Sequence, residues 1–179
     1  MRLLSACSML LIAARLETAQ TTDPLQPLNF LIGIWAAEDR AGVLPETTEF
    51  HWAKRQGTTV LLGRHWTGDD SGCPWCVTQA AIVVHYDKDS NQVQAHFRDK
   101  TQRSLDFLLS GASDGFAQFY SVAGPGALVF RLTFKTKPPG GILITLENAT
   151  ARDGVFSPVF DWSLHRRAVL GPVTPGQVQ

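Results

Sequence analysis

Pro27-Leu28-Asn29-Phe30-Leu31-Ile32-Gly33-Ile34-Trp35 decides how the rest of the chain is read, because an apolar turn, a glycine and a tryptophan stand directly before a long series of strand-like segments. Leu28, Leu31 and Ile32 fall on one helical face, and Gly33 ends that pattern while letting backbone approach backbone. A short helical turn that stops at Gly33 and delivers Trp35 into a core is expected. From Ile34 onward the apolar period is two, and helical spacing hardly recurs.

About ten strands follow. They are residues 34–39, 46–54, 58–67, 77–86, 92–99, 104–109, 116–122, 127–135, 142–149 and a last strand ending at Arg167. Their connections are rich in turn formers, such as Asp87-Lys88-Asp89-Ser90-Asn91, Ser113-Asp114-Gly115, Pro138-Pro139-Gly140-Gly141 and Arg152-Asp153-Gly154. Alternation places Ile82, Val84 and Tyr86 on one face, then Val93, Ala95 and Phe97, then Leu105, Phe107 and Leu109, then Leu128, Phe130, Leu132 and Phe134. Short strands joined by tight turns predict an all-β fold, a single antiparallel up-and-down barrel whose closure removes exposed edges. Ten strands enclose more than eight, so an internal cavity is the geometric expectation.

The motif Leu-x-x-Leu-x-Gly-x-Trp at Leu28 to Trp35, followed by Glu49-Phe50-His51-Trp52, resembles the calycin superfamily of lipocalin-like barrels. It is most similar to uncharacterised bacterial secreted proteins that open with Leu-x-x-Leu/Phe-x-Gly-x-Trp. The resemblance spans residues 27 to 167, and it implies that Gly33 and Trp35 sit at the closed end of the barrel beneath a basic residue of the last strand. Arg166 is the candidate, since Phe160, Trp162, Leu164 and Arg166 share a face at period two. One family of the superfamily, the nitrobindins, holds haem through a His early in the last strand. The matching position here falls near Val159 or Phe160, with His165 later and outward, so no cofactor is expected.

With 179 residues there is room for one domain with a sizeable core. The formal net charge of zero gives no field to attract nucleic acid. Met1-Arg2 followed by the uncharged Leu3 to Ala14 has the pattern of a secretory signal, too short to span a bilayer. The expected organisation is a signal peptide over residues 1–19, a linker over 20–26, the barrel over 27–168 and a flexible tail over 169–179, in an exported protein, periplasmic or extracellular, with no integral membrane span. Leu4-Ser5-Ala6-Cys7 matches a lipoprotein box but precedes the apolar run, so lipidation fits only a start further upstream.

Cys73-Pro74-Trp75-Cys76 lies in a loop between strands, with no helix to lower a thiol pKa as redox chemistry needs. A small structural disulfide is the first expectation for an exported chain, ahead of free thiols, half of a metal site and redox catalysis. His85 and His96 are diagonal neighbours on a polar face and read as solvent-facing, so no metal is assigned. There is no Gly-x-Ser-x-Gly, no phosphate loop and no His-Glu-x-x-His, and Glu46 and Asp99 sit at strand ends, so no catalytic residue is assigned. A small, mainly apolar ligand is the expected partner. Its candidate contacts are Trp52, Phe97, Phe107 and Phe130 as apolar wall, with Arg64, Gln118 and Tyr120 as polar groups if their faces turn inward. The competing expectations are a side-chain-filled barrel serving as a structural or interaction module of the cell envelope, and an enzyme that uses the cavity. Cavity volume separates them.

Overall fold

The computed structural model describes residues 23–37, 46–67 and 80–167. Ten strands close into one antiparallel barrel: β1 Gly33–Ala37, β2 Glu46–Arg55, β3 Thr58–Thr67, β4 Ala80–Asp87, β5 Gln92–Asp99, β6 Ser104–Ser113, β7 Phe116–Ser121, β8 Val129–Lys137, β9 Gly141–Ala149 and β10 Ser157–Arg166. Every neighbour in sequence is a neighbour in the sheet, and β1 pairs with β10 to close the ring, with Trp35 opposite Arg166. Closure leaves no unpaired sheet edge to recruit another chain.

A 3₁₀ turn, Gln26–Leu31, precedes β1 and caps one end of the barrel. At three residues per turn, Leu25, Leu28 and Leu31 line up on one side, and all three are buried. This refines the expected helical turn: Ile32 ends the element, and packing starts at Leu25 and not at Pro27, held by the Leu25 N–H donating to the Asp23 carboxylate at 3.0 Å.

Behind this plug the Trp35 ring is buried, and its Nε1 donates to the Leu31 carbonyl at 2.7 Å. The Arg166 guanidinium lies 4.8 Å from the Trp35 ring centroid and donates to the Ile32 carbonyl at 2.9 Å. Gly33 has φ +139°, a conformation that L side chains rarely adopt, so glycine serves the backbone here; a Cβ would sit in ordinary contact with that guanidinium at 3.5 Å.

The barrel axis is filled near the plug. Phe50 and Phe119 each meet Phe134 edge to face, at 5.8 and 6.2 Å between centroids, and Leu61, Val84, Phe107, Leu132, Ile142 and Leu164 pack around them. Gly63 makes room for this layer, since a Cβ on it would fall 2.5 Å from both Phe50 and Ile82.

Several strand assignments change. β6 runs to Ser113 and not to Leu109, because a bulge between Leu109 and Gly111 lets pairing with β7 continue. β8 starts at Val129, leaving Leu128 exposed before it instead of inside with Phe130. Residues 38–39 and 77–79 of the expected strands lie outside the described residues, as do the expected signal peptide, tail and the Cys73–Cys76 pair.

Candidate functional site

Away from the plug the barrel is hollow. A cavity of about 570 Å³ is lined by His65, Ala80, Phe97, Leu105, Phe130, Leu146, Val159, Phe160 and Trp162, with Asp99, Arg103 and Ser104 at its rim. These residues come from the ends of β3, β5 and β9 and the beginnings of β4, β6, β8 and β10, the end of the barrel opposite the 3₁₀ turn. Beneath it, among Phe50, Ile82, Leu132, Phe134 and Ile144, only about 30 Å³ of space remains. His65, Ala80, Phe97, Phe160 and Trp162 border both spaces and form the partition between hollow and solid halves. Two larger hollows lie elsewhere, one beside the turns at Arg55-Gln56 and Asp87-Lys88 on the outer face of His85 and His96, the other beside Pro138-Pro139.

The partition is built from stacked rings. The His65 imidazole lies on Trp162 at 3.9 Å with an interplanar angle of 11°, and Trp162 lies on Phe160 at 4.2 Å and 15°. Period two on β10 sets Phe160 and Trp162 on the inner face, and His65 follows Leu61 and Gly63 on the inner face of β3. His65 is only 5% exposed, and its Nδ1 is hydrogen-bonded to the Thr48 hydroxyl at 3.0 Å, across the β2–β3 pair. Burial pushes its pKa down to about 4, because a charged imidazole loses its hydration there. At neutral pH it is therefore an uncharged, polar group in an otherwise apolar partition.

At the rim the Asp99 carboxylate accepts from the Thr101 hydroxyl at 2.6 Å and from Arg103 Nε at 2.8 Å. These bonds, the Thr101 hydroxyl first, hold its pKa below the usual carboxylate range, and Arg103 meets the carboxylate through Nε. Glu46 does not line the cavity, so the two strand-end carboxylates do not converge as an acid/base pair would require. Among the described residues no three His, Cys, Asp or Glu side chains gather as a metal site, and no helix is long and apolar enough to cross a membrane.

Of the candidate contacts, Phe97 and Phe130 line the cavity. Phe107 is fully buried in the solid half, and Trp52 sits by the plug, where its Nε1 donates to Asn29 at 3.1 Å. The condition set for Arg64, Gln118 and Tyr120, that their faces turn inward, is not met. Arg64 is exposed on the outer face and pairs with Glu49 at 2.6 Å. On β7 the buried, inward residues are Ala117 and Phe119, which puts Gln118 and Tyr120 outside, the latter beneath the Arg152 guanidinium at 4.5 Å. His85 and His96 lie on the outer face as well, with His96 paired to Asp106 at 2.6 Å. His65 is the residue that reasoning from sequence missed. The available signal was the alternative face of β3, Leu61-x-Gly63-x-His65, which places the imidazole opposite the inward Thr48.

No protein-family model matches this chain, and no curated protein matches it significantly.

Proposed function

We propose that this protein is an exported, lipocalin-like barrel of the calycin group that holds a small, mainly apolar molecule in its hollow half without transforming it. The observation that carries this is the cavity of about 570 Å³ lined by Phe97, Leu105, Phe130, Leu146, Phe160 and Trp162. That volume falls within the roughly 300–1,000 Å³ of small-molecule sites, which are mostly apolar with a few placed polar groups. A barrel filled throughout by side chains would serve as a structural module, and only the plugged half fits that description. Chemistry finds no support among the described residues of the cavity: the buried ionisable group that lines it is the His65 imidazole, and the Thr48 hydroxyl bonded to that ring does not line the cavity. Export rests on the Met1 to Ala14 pattern.

Native mass spectrometry of the protein purified from its own host tests the proposal. A co-purifying small molecule, released on unfolding and lost when Phe130 and Trp162 are both replaced by Ala, is expected. A clean apoprotein mass, with no uptake of apolar compounds added afterwards, would contradict it.

A further inference from the structure

The walls of the cavity narrow the kind of molecule it suits. Phe160, Trp162 and His65 form one continuous stack of nearly parallel rings, with interplanar angles of 15° and 11°. Phe97 from β5 and Phe130 from β8 line the same space. With His65 and Phe160 stacked on Trp162, the indole presents its edge to the cavity, and an aromatic guest gains from edge contacts that a flexible chain does not make.

The polar groups are equally restrictive. Asp99 and Arg103 form an ion pair at the rim, and among the described residues of the partition the ionisable group is His65. Thr48 occupies Nδ1, so the ring nitrogen left for an incoming group is Nε2. The Thr48 hydroxyl can donate to Nδ1 or accept from it, so Nε2 can present either an N–H or a lone pair. It therefore suits a carbonyl or a hydroxyl. A charged group brought to the same depth would lose its hydration with only an uncharged imidazole to receive it.

We propose that the cavity takes an uncharged, planar aromatic or conjugated ring compound bearing a single hydroxyl or carbonyl, with that group hydrogen-bonded to His65 Nε2 and the ring between Phe97, Phe130 and the edge of the Trp162 stack. This rests on the carrier function proposed above and specifies its ligand class. Nothing in it requires a bond to be made or broken.

Equilibrium dialysis of the intact protein against four probes, 2-naphthol, naphthalene, 2-naphthoate and 1-decanol, tests it. Naphthalene and 1-decanol are the more apolar compounds, so hydrophobic burial alone ranks them above 2-naphthol. The expected result is the reverse, with 2-naphthol preferred over naphthalene about five- to tenfold, the worth of one net hydrogen bond, and 2-naphthoate weakest among the ring compounds. In His65→Phe, which keeps a stacking ring, the preference for 2-naphthol should vanish while naphthalene affinity stays within about twofold. Should that variant not fold, the wild-type ranking still decides. Naphthalene or 2-naphthoate binding tighter than 2-naphthol, or an unchanged preference in His65→Phe, would overturn the role of His65. If 1-decanol binds tighter than the ring compounds, the ligand class fails while the carrier function stands; if none of the four binds, both fail.

Discussion

The two ends of this barrel are made from the same kind of strand and solve different problems. At the plugged end, the side chains that point inward are large, fully buried and interlocked: Phe50, Phe119 and Phe134 meet edge to face, Trp35 is roofed by Arg166, and the 3₁₀ turn adds Leu28 and Leu31. At the other end the inward positions include Ala80 and the half-buried Phe97, Leu105 and Phe130, and about 570 Å³ is left over. The plugged half is thus the source of stability, and the hollow half stays open because its neighbour supplies that stability. The stacked His65, Trp162 and Phe160 mark the boundary.

The sharpest way to break this contrast is to remove one tryptophan from each half. Trp35→Ala should lower unfolding free energy by about 3–5 kcal/mol in denaturant titrations, because the ring is fully enclosed and its hydrogen bond is lost too. Trp162→Ala, whose ring is only partly buried, should lose clearly less stability and yet lose ligand uptake. Equal destabilisation by the two would erase the distinction.

Acid acts next, through the boundary. His65 has its pKa lowered from 6.5 to about 4 in the fold, so between those values the unfolded chain binds a proton that the folded chain refuses. The folded state therefore loses stability as pH falls from about 6.5 towards 4, on the order of 3 kcal/mol in all, and keeps it above pH 6.5. Denaturant midpoints measured across that range should show the decline, and His65→Phe should flatten it. A slope unchanged by that substitution would place the imidazole in water.

Gly63→Ala probes the seam between halves. The added methyl meets Phe50 and Ile82 at 2.5 Å, which calls for a loss of about 1–3 kcal/mol in thermal or denaturant unfolding. Arg64→Ala, one position along but on the outer face, should change stability by less than about 1 kcal/mol, since its pair with Glu49 is solvent-exposed. A larger effect at Arg64 than at Gly63 would mean that β3 has been assigned the wrong face.

That last comparison shows where the sequence was legible. Strand number, strand order and closure followed from turn chemistry and period two, and the alternation on β4, β5 and most of β6 was unambiguous because one face is apolar and the other is not. β3 and β7 carry large apolar groups on both faces. On β3, Leu62 and Trp66 compete with Leu61, and the decisive residues are Gly63, which has no side chain, and His65, which counts as polar. On β7, Phe116 and Tyr120 outweigh Ala117 and Phe119 in apolar bulk, yet the smaller set faces inward, where space beside Phe107 and Phe134 is scarce. Inner positions of a tightly filled barrel favour fit over size. The site suffered most, because its buried imidazole sits on a misleading strand and acquires its character from Thr48 and Trp162, 17 and 97 residues away in sequence.

A crystal pressurised with xenon measures the central contrast most directly, since the gas enters apolar space large enough to hold it. Xenon density among Phe97, Phe130 and Trp162, with none among Phe50, Phe119 and Phe134, is the predicted result. Xenon in the plugged half, or an empty site beside Trp162, would contradict it.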